Sequence, residues 1–453
     1  MKIIIVGDGK VGLAITAQLT SEGHDLIIID SNPDVLQRSM ELYDVNVISG
    51  NGASLPVLRA AGAETADLLI AATSSDEVNM LSCIMASRIG THNTIARIRN
   101  PEYHEQMNEM RQELGLSMPI NPELSAAGEV YNTLQFPSFL HRDSFAKGRV
   151  EIVELKIAEH SKLQSIPLKR LYKILSVKVL ICAVERGCEA IIPNGEFVLE
   201  AGDRIHVTAD TKHLAKLVQD FELKSEKVEH TFIIGGSRIA YYLARMLTAS
   251  GISVKIVEKD LKRCEELAAI LPEVMVIHGD GSDQRLLLEE GIQDTDALVT
   301  LTSMDEENIF VSLYGAHLGV PHIITKVNQM EYASIVEEVG IESALSPKML
   351  CATQVARYVR AMANTTGGSV LTMHEIVGGK VNALEFVTTE KTKYLDQKLM
   401  DIPIKKNILL ACIFRKGKTI IPQGSNCLRK GDTVIVVTVS DFLLVDLNDI
   451  FEG

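Results

Sequence analysis

The chain has 453 residues, 46% of them apolar and none a tryptophan, with a formal net charge of −14. The length suits three or four small domains, and the aliphatic composition suits packed α/β cores. The acidity argues against phosphate-backbone binding as the main activity, since a nucleic-acid protein shows a basic face, so no nucleic-acid partner is expected.

The chain opens on the apolar run Lys2–Val6, which enters Gly7-Asp8-Gly9-Lys10-Val11-Gly12 and then a helical pattern over Lys10–Ser21. Strand, Gly-rich turn and helix in that order form a dinucleotide-binding opening. Gly7 permits the tight turn, Gly9 lets the backbone approach a pyrophosphate, and Gly12 lets the helix pack on the strand. The helix start aims amide groups and partial positive charge at the phosphates. Asp30 closes the next apolar run, Leu26–Ile29, 18 residues past Gly12. An acid there accepts hydrogen bonds from a ribose diol and repels a 2′-phosphate, which favours NAD(H) or an adenine nucleotide over NADP(H). A degenerate Rossmann fold without a ligand is the plainer reading of a Gly loop, but here the strand, helix and acid are all in place.

Further apolar runs at Val45–Ile48, Leu68–Ala71 and Thr94–Ile98 alternate with helical patterns. That alternation specifies a parallel sheet with right-handed crossovers. Within Glu77–Ile89 the spacing of Val78, Leu81, Ala86 and Ile89 predicts one apolar face. Thr73-Ser74-Ser75-Asp76-Glu77-Val78-Asn79 follows the fourth strand, at the sheet edge where such folds bind ligands. The same hydroxyls and Asp76 also suit a helix N-cap. Arg97 and Arg99 follow the fifth strand, placed either for a phosphate or for an ordinary ion pair with Glu102. Gly50-Asn51-Gly52, after the third strand, is placed to edge an adenine. In Pro122–Leu134, Leu124, Ala127, Val130, Tyr131 and Leu134 recur near helical spacing. They are core residues and also an arm suited to packing on a neighbouring module.

A second module, Phe145 to Leu223, carries β-rich stretches at Val150–Ala158, Val177–Val184 and Arg204–Val207 and a short helix, Thr211–Phe221. The turns Pro193-Asn194-Gly195 and Ala201-Gly202-Asp203 separate the stretches, and the charged run Glu222–Glu229 reads as a linker.

The remaining half repeats the first. His230–Ile234 enters Gly235-Gly236-Ser237-Arg238-Ile239-Ala240, Gly235 lies 228 residues after Gly7, and Glu258 lies 228 after Asp30. Thr302-Ser303-Met304-Asp305-Glu306-Glu307-Asn308 matches Thr73–Asn79. Lys326 and Asn328 match Arg97 and Arg99, Gly279-Asp280-Gly281 matches Gly50–Gly52, and Pro347–Val359 matches Pro122–Leu134. Ile420-Ile421-Pro422-Gln423-Gly424 matches Ile191–Gly195 at an offset of 229. A repeat of this length implies two nucleotide-type pockets. The second departs at Ser237, whose Cβ would crowd a pyrophosphate, while Ala240 is an accepted third residue. Arg238 suits a phosphate or a solvated first helical turn. The expected domains are 1–140, 141–225, 226–366 and 367–453, with Thr365–Ser369 as a boundary loop.

Evidence for catalysis is thin. There is no Gly-x-Ser-x-Gly, no His-Glu-x-x-His and no Walker lysine. The twelve histidines, His24 and His278 among them, are dispersed. An NAD-dependent oxidoreductase is the alternative reading, opposed by the lack of an acid–base pair. A structural ring with decayed pockets is a third. The seven cysteines are scattered without Cys-x-x-Cys and read as core residues in a reducing cytoplasm. No metal site is expected. Since the chain opens on a buried-type strand, no cleavable signal is expected ahead of it. Apolar runs such as Ile408–Phe414 are too short to span a bilayer.

With these motifs the chain resembles the TrkA family, the peripheral nucleotide-binding subunits of Trk potassium-uptake systems. The marks are Gly7–Gly12, Thr73–Asn79, Ala96-Arg97-Ile98-Arg99-Asn100-Pro101-Glu102-Tyr103 and the twice-written Ile-Ile-Pro-x-Gly turn. The resemblance covers essentially the whole chain. It implies two Rossmann-like, doubly wound parallel-sheet RCK (KTN) N-domains, each followed by a small α+β RCK C-domain. It implies binding of NAD(H) and of ATP or ADP, assembly as a homotetrameric gating ring, and docking on the inner face of the cell membrane against a membrane-embedded potassium-translocating subunit. Carried onto matching positions, the first pocket would use Gly7, Asp8, Gly9, Lys10, Val11, Asp30, Thr73, Ser74 and Arg97, the loop contributing its backbone. The second would use Gly236, Ser237, Arg238, Glu258, Thr302, Ser303 and Lys326.

Overall fold

The computed structural model describes residues 1–110, 114–137, 139, 141–146, 148–159, 161–171, 173–187, 189–221, 227–329, 332, 336, 341, 343–363, 370–377, 380–439, 444 and 446–452. Cys188, residues 222–226 of the charged run and the Thr365–Ser369 loop lie outside the described residues.

The first sheet has six parallel strands: β1 (Lys2–Val6), β2 (Asp25–Asp30), β3 (Asn46–Ser49), β4 (Leu68–Ala71), β5 (Asn93–Arg97) and β6 (Met118–Ile120), in the order β3-β2-β1-β4-β5-β6. Its inner strands are mostly aliphatic because helices cover both faces; Ile3, Ile4 and Ile5 are all fully buried. Its helices are α1 (Lys10–Ser21), α2 (Pro33–Leu42), α3 (Leu55–Ala60), α4 (Asp76–Ile89), α5 (Pro101–Met110) and α6 (Pro122–Gln135). The strand order reverses between β1 and β4, which opens a crevice at the carboxyl ends of the strands.

Next follows a five-stranded antiparallel sheet, β7 (His141–Phe145), β8 (Val150–Lys156), β9 (Leu180–Arg186), β10 (Glu189–Ile191) and β11 (Arg204–Asp210), in the order β10-β9-β11-β8-β7. Two short helices, α7 (Leu168–Leu171) and α8 (Leu214–Asp220), accompany it. The expected helix Thr211–Phe221 begins as a 3-10 turn, Thr211–His213, with Asp210 accepting the Lys212 amide.

The repeat is exact at this level. β12 (His230–Ile234), β13 (Ser253–Glu258), β14 (Met275–His278), β15 (Ala297–Thr300), β16 (His322–Lys326) and β17 (Ser343–Leu345) rebuild the parallel sheet in the order β14-β13-β12-β15-β16-β17. Its described helices include α9 (Arg238–Ala249), α10 (Leu261–Ile270), α11 (Gln284–Glu289), α12 (Asp305–His317) and α13 (Pro347–Ala363). β18 (Thr372–Ile376), β19 (Val381–Val387), β20 (Ile408–Arg415), β21 (Lys418–Ile420) and β22 (Thr433–Val439) form a second antiparallel sheet, ordered β18-β19-β22-β20-β21.

The chain divides into two compact units. One holds Met1–Gln135 and Val228–Ala356, the two parallel-sheet modules. The other holds Phe136–Lys227 and Arg357–Gly453, the two antiparallel ones. Within the first unit α6 behaves as the expected arm. Ala126, Ala127, Val130 and Leu134 share a core with Tyr242, Leu243 and Leu247 of α9. Asn121 Nδ2 donates to Tyr242 Oη at 3.0 Å, and Tyr131 Oη lies 2.7 Å from Ser250 Oγ.

One helical face differs from expectation. On α4 the buried residues include Asn79, Ser82, Cys83 and Ala86, while Leu81 is exposed. The polar residues turn inward because each has a partner: Asn79 clamps a loop, and Ser82 Oγ donates to the Val78 carbonyl at 2.7 Å. Cys83, Cys182, Cys264, Cys351 and Cys412 are buried free thiols, and burial pushes Cys83, Cys351 and Cys412 up to about 12.

Candidate functional site: a cavity shared by two Gly loops

The first Gly loop has the geometry a dinucleotide needs. Gly7 adopts φ +93°, and any side chain there would meet the Thr73 backbone. A Cβ on Gly12 would lie 1.9 Å from the Gly7 carbonyl oxygen, so α1 approaches the loop as closely as backbone allows. A Cβ on Gly9 would meet nothing within 4 Å, so that side of the turn is open for a phosphate. Asp30 holds the loop from below: Oδ2 accepts the Asp8 amide at 2.7 Å and Oδ1 the Asn32 amide at 2.8 Å. A carboxylate has about four acceptor positions, so capacity remains for a ribose diol.

Above the loop is a cavity of about 910 Å³. Gly7, Gly9, Lys10, Val11, Asp30, Gly50–Gly52, Thr73, Ser74 and Arg97 line it, and so do Ser237, Arg238, Lys326 and Lys348 from the second parallel-sheet module. Eight of the nine residues expected in the first pocket are therefore together. The ninth, Asp8, does not line the cavity, and its amide donates to Asp30. Its carboxylate is buried beneath the loop, where Ser39 Oγ donates to it at 2.5 Å, and burial raises its pKa.

The residues expected in the second pocket are divided between cavities. Ser237, Arg238 and Lys326 face the first cavity. Ser303 lines a neighbouring cavity of about 490 Å³, with Lys10, Arg38, Met304 and Lys348. Gly236, Glu258 and Thr302 line neither. Gly236 is held on both sides: its amide donates to Glu258 Oε2 at 2.5 Å, and its carbonyl accepts from Arg263 Nε at 2.8 Å. Ser237 is the N-cap of α9, its hydroxyl accepting the Ala240 amide.

The polar clamps explain the matched Thr-Ser-x-Asp segments. Ser75 caps α4 through the Val78 amide. Asn79 Oδ1 accepts from the Thr73 amide at 2.8 Å, and its Nδ2 reaches the Arg97 carbonyl at 2.9 Å. Asn308 repeats this with Thr302 and Lys326. Asp76 is buried and accepts the Arg99 and Asn100 amides, and it pairs with the Arg99 side chain at 3.3 Å. Arg97 pairs with Glu123 of α6 at 3.2 Å. The alternative of an ordinary pair with Glu102 is thus not the one adopted by either arginine among the described residues. Sequence reasoning passed over Glu123 and Lys348, which occupy matching places at the starts of α6 and α13 with opposite charge and both face the cavity. Their equivalence in the repeat was the available signal. No ion pair engages Lys10, Arg238 or Lys348 among the described residues.

Among the described residues no histidine, cysteine or tyrosine lines the cavity. Among the described residues there is no cluster of three metal-ligating side chains, and no helix is long and apolar enough to cross a membrane.

The TrkA-N domain model matches residues 3–122 and again 231–347, more than half of the chain, and the TrkA-C domain model matches residues 152–221. The chain belongs to the TrkA family. A Trk system potassium uptake protein TrkA homolog of Archaeoglobus fulgidus is 34% identical over 436 residues, covering 96% of this chain and 97% of that one. TrkA homolog 1 of Methanosarcina mazei is 33% identical over 448 residues, covering 97% and 98%. The Haemophilus influenzae TrkA protein is 30% identical over 443 residues, covering 96% and 95%. Among solved structures, the GsuK channel matches with a TM-score of 0.65 at 17% identity, and the GsuK channel bound to NAD with 0.63 at 17%. Each covers 97% of this chain and 77% of the channel, a likeness of fold. The expected architecture of TrkA, Rossmann-like sheets each followed by a small RCK C-domain, is the observed one. These TrkA relatives are named for a transport system and none for an enzyme, so the oxidoreductase alternative is set aside.

Proposed function

We propose that this chain is the nucleotide-binding regulatory subunit of a Trk-type potassium-uptake system, and that nucleotide in the 910 Å³ cavity controls ion flux through a membrane-embedded translocating partner. The observation that carries this reading is the shared cavity. One module offers a Gly loop, a helix start and Asp30, and the other offers the cations Arg238, Lys326 and Lys348 to the same space.

The residues fit an adenine nucleotide. The amides of Gly9 to Val11, at the start of α1, take the first phosphates, since those of Gly7 and Asp8 already donate to the Ile29 carbonyl and to Asp30. Asp30 takes the ribose diol, and Gly50–Gly52 flank the base. Beyond the Arg97–Glu123 pair, Lys10, Arg238, Lys326 and Lys348 exceed the charge needed for the two phosphates of NAD(H), so ATP and ADP are ligands of the same cavity in competition with it. The cations of the second module tie the two modules together only when a ligand of sufficient charge lies between them. A ligand moves a conformational equilibrium only through its differential affinity for the two states. In a homotetrameric ring on the inner membrane face, that difference becomes a change at the gate.

The test is potassium flux through the matching membrane subunit in liposomes, with and without this protein, across NAD, NADH, ATP and ADP. Nucleotide-dependent flux that requires the protein supports the reading. Flux indifferent to the protein, despite a demonstrated complex, rejects it.

A further inference from the structure

Lys326 ends β16 and has two surroundings. Its side chain lines the first cavity beside Arg238 and Asn328. Its ammonium also donates to the Thr302 carbonyl at 2.6 Å, in the loop between β15 and α12. That carbonyl also accepts from Asn308 Nδ2, at a long 3.3 Å. The next two residues, Ser303 and Met304, line the 490 Å³ cavity. One side chain thus joins the interior of one cavity to the rim of the other.

The first repeat lacks this link. Arg97 stands at the position of Lys326, yet its guanidinium pairs with Glu123. The Thr73 carbonyl keeps the long bond from Asn79 Nδ2, at 3.3 Å. The loops differ at their helix starts too. Ser75 caps α4 with its side chain, whereas Met304, at the matching place on α12, supplies no side-chain cap. The Thr302 loop lacks that side-chain cap, and its cationic bond comes from the cavity-lining Lys326, whereas in the first repeat Arg99 donates to the Ser74 carbonyl.

We infer that Lys326 couples the two cavities: a phosphate group in the first draws its ammonium away from the Thr302 carbonyl and so loosens the Thr302–Met304 rim of the second. This rests on the reading of the first cavity as a nucleotide site. A bond between two charged groups is stronger than one from an ammonium to a neutral carbonyl, so the phosphate wins the competition. Burial lowers the pKa of Lys326, with Lys10 adding to the effect and Asp305 and Glu123 opposing it, so an anion also offsets the cost of keeping the ammonium charged. By linkage, whatever binds the second cavity with its rim ordered opposes phosphate in the first to the same degree.

The test uses the full chain, with ATP titrated by calorimetry and amide exchange followed across residues 301–308. In wild type, saturating ATP speeds exchange in that segment. Lys326→Met keeps the apolar stem and removes the charge. It should bind ATP roughly tenfold more weakly, and its segment should exchange fast at the outset with no response to ATP. Lys326→Arg should restore part of the affinity and of the response. A wild-type segment that ignores saturating ATP overturns the inference while leaving the nucleotide reading intact, and so does a Lys326→Met segment that responds as wild type does. Absence of any ATP, ADP or NAD binding to wild type rejects the nucleotide reading and the inference with it. Should Lys326→Met not fold, Lys326→Gln and the wild-type response still decide the matter.

Discussion

Asp30 and Glu258 do the same work 228 residues apart: Asp30 Oδ2 accepts the Asp8 amide at 2.7 Å, and Glu258 Oε2 accepts the Gly236 amide at 2.5 Å. Each carboxylate locks the turn that follows the first strand of its sheet. A residue usually credited with ribose recognition is thus also part of the loop's own hydrogen bonding.

Asp30→Ala should therefore weaken nucleotide binding in the first cavity by ~1–3 kcal/mol, the range for a charged partner removed from a part-buried site. Some of that loss will be loop order rather than direct contact, because the Asp8 amide is left without its acceptor. Asp30→Asn keeps an acceptor and should retain more of the loop while still losing affinity. Calorimetry with NADH and ADP on both variants separates the two contributions. Unchanged affinity in Asp30→Ala would remove this residue from the site.

Arg238→Ala tests the shared cavity itself. If the second module's cations meet the outer phosphates, the variant should lose roughly tenfold in ATP affinity, the scale of one charge-assisted hydrogen bond, and much less for NAD. The informative quantity is the ratio of the two affinities, measured by competition against one fluorescent adenine nucleotide. A variant that weakens both ligands equally would place Arg238 in the fold rather than at the phosphates.

How much of this was legible before folding follows from what each residue needs. β4, and β1 after Lys2, read clearly because both faces of the sheet are buried there and these positions must be apolar. Gly7 and Gly12 read clearly because backbone approach tolerates no side chain. Arg238 and Lys326 were recognised as site residues but assigned to their own module, since a repeat says which positions match and not which copy a side chain faces. Leu81 was misplaced because Asn79 and Ser82 take the inner face of α4 through hydrogen bonds that periodicity does not register. For Arg97 the sequence offers a phosphate or the nearby Glu102, while its ion-pair partner, Glu123, comes from α6, which no local spacing reveals.

The glycines supply a matched pair of stability tests. Gly12→Ala places a methyl 1.9 Å from a backbone oxygen that cannot step aside, so strain of at least 1–3 kcal/mol is expected, as for overpacking. Gly128 lies within α6, where an added Cβ meets nothing within 4 Å. Gly128→Ala should stabilise by about 1 kcal/mol through helix propensity alone. Thermal melts of the two variants should move in opposite directions, and nucleotide binding should suffer only in Gly12→Ala.

A pH dependence is expected in the antiparallel-sheet unit. His206 on β11 is buried, its Nε2 has no partner, and burial pushes its imidazole down to about 4, against the pull of nearby Asp143. An unfolded histidine titrates near 6.5. Between those values the unfolded chain binds a proton that the folded chain refuses, so stability falls as pH falls. The contribution is fully present above the unfolded value and is lost progressively down to about pH 4, at most roughly 3 kcal/mol for this separation. Asp143 acts in a lower window. Its pKa is lowered because bonds from His141 and His374 outweigh its burial, so its contribution stays in place until pH drops below the ordinary carboxylate range. Melting His206→Phe beside wild type from pH 7.5 to 4.5 isolates the buried imidazole from the neighbouring His141 and His374, which both proteins retain. The variant should lose less stability on acidification, and an identical slope for both proteins would show that His206 takes up its proton without cost in the folded state.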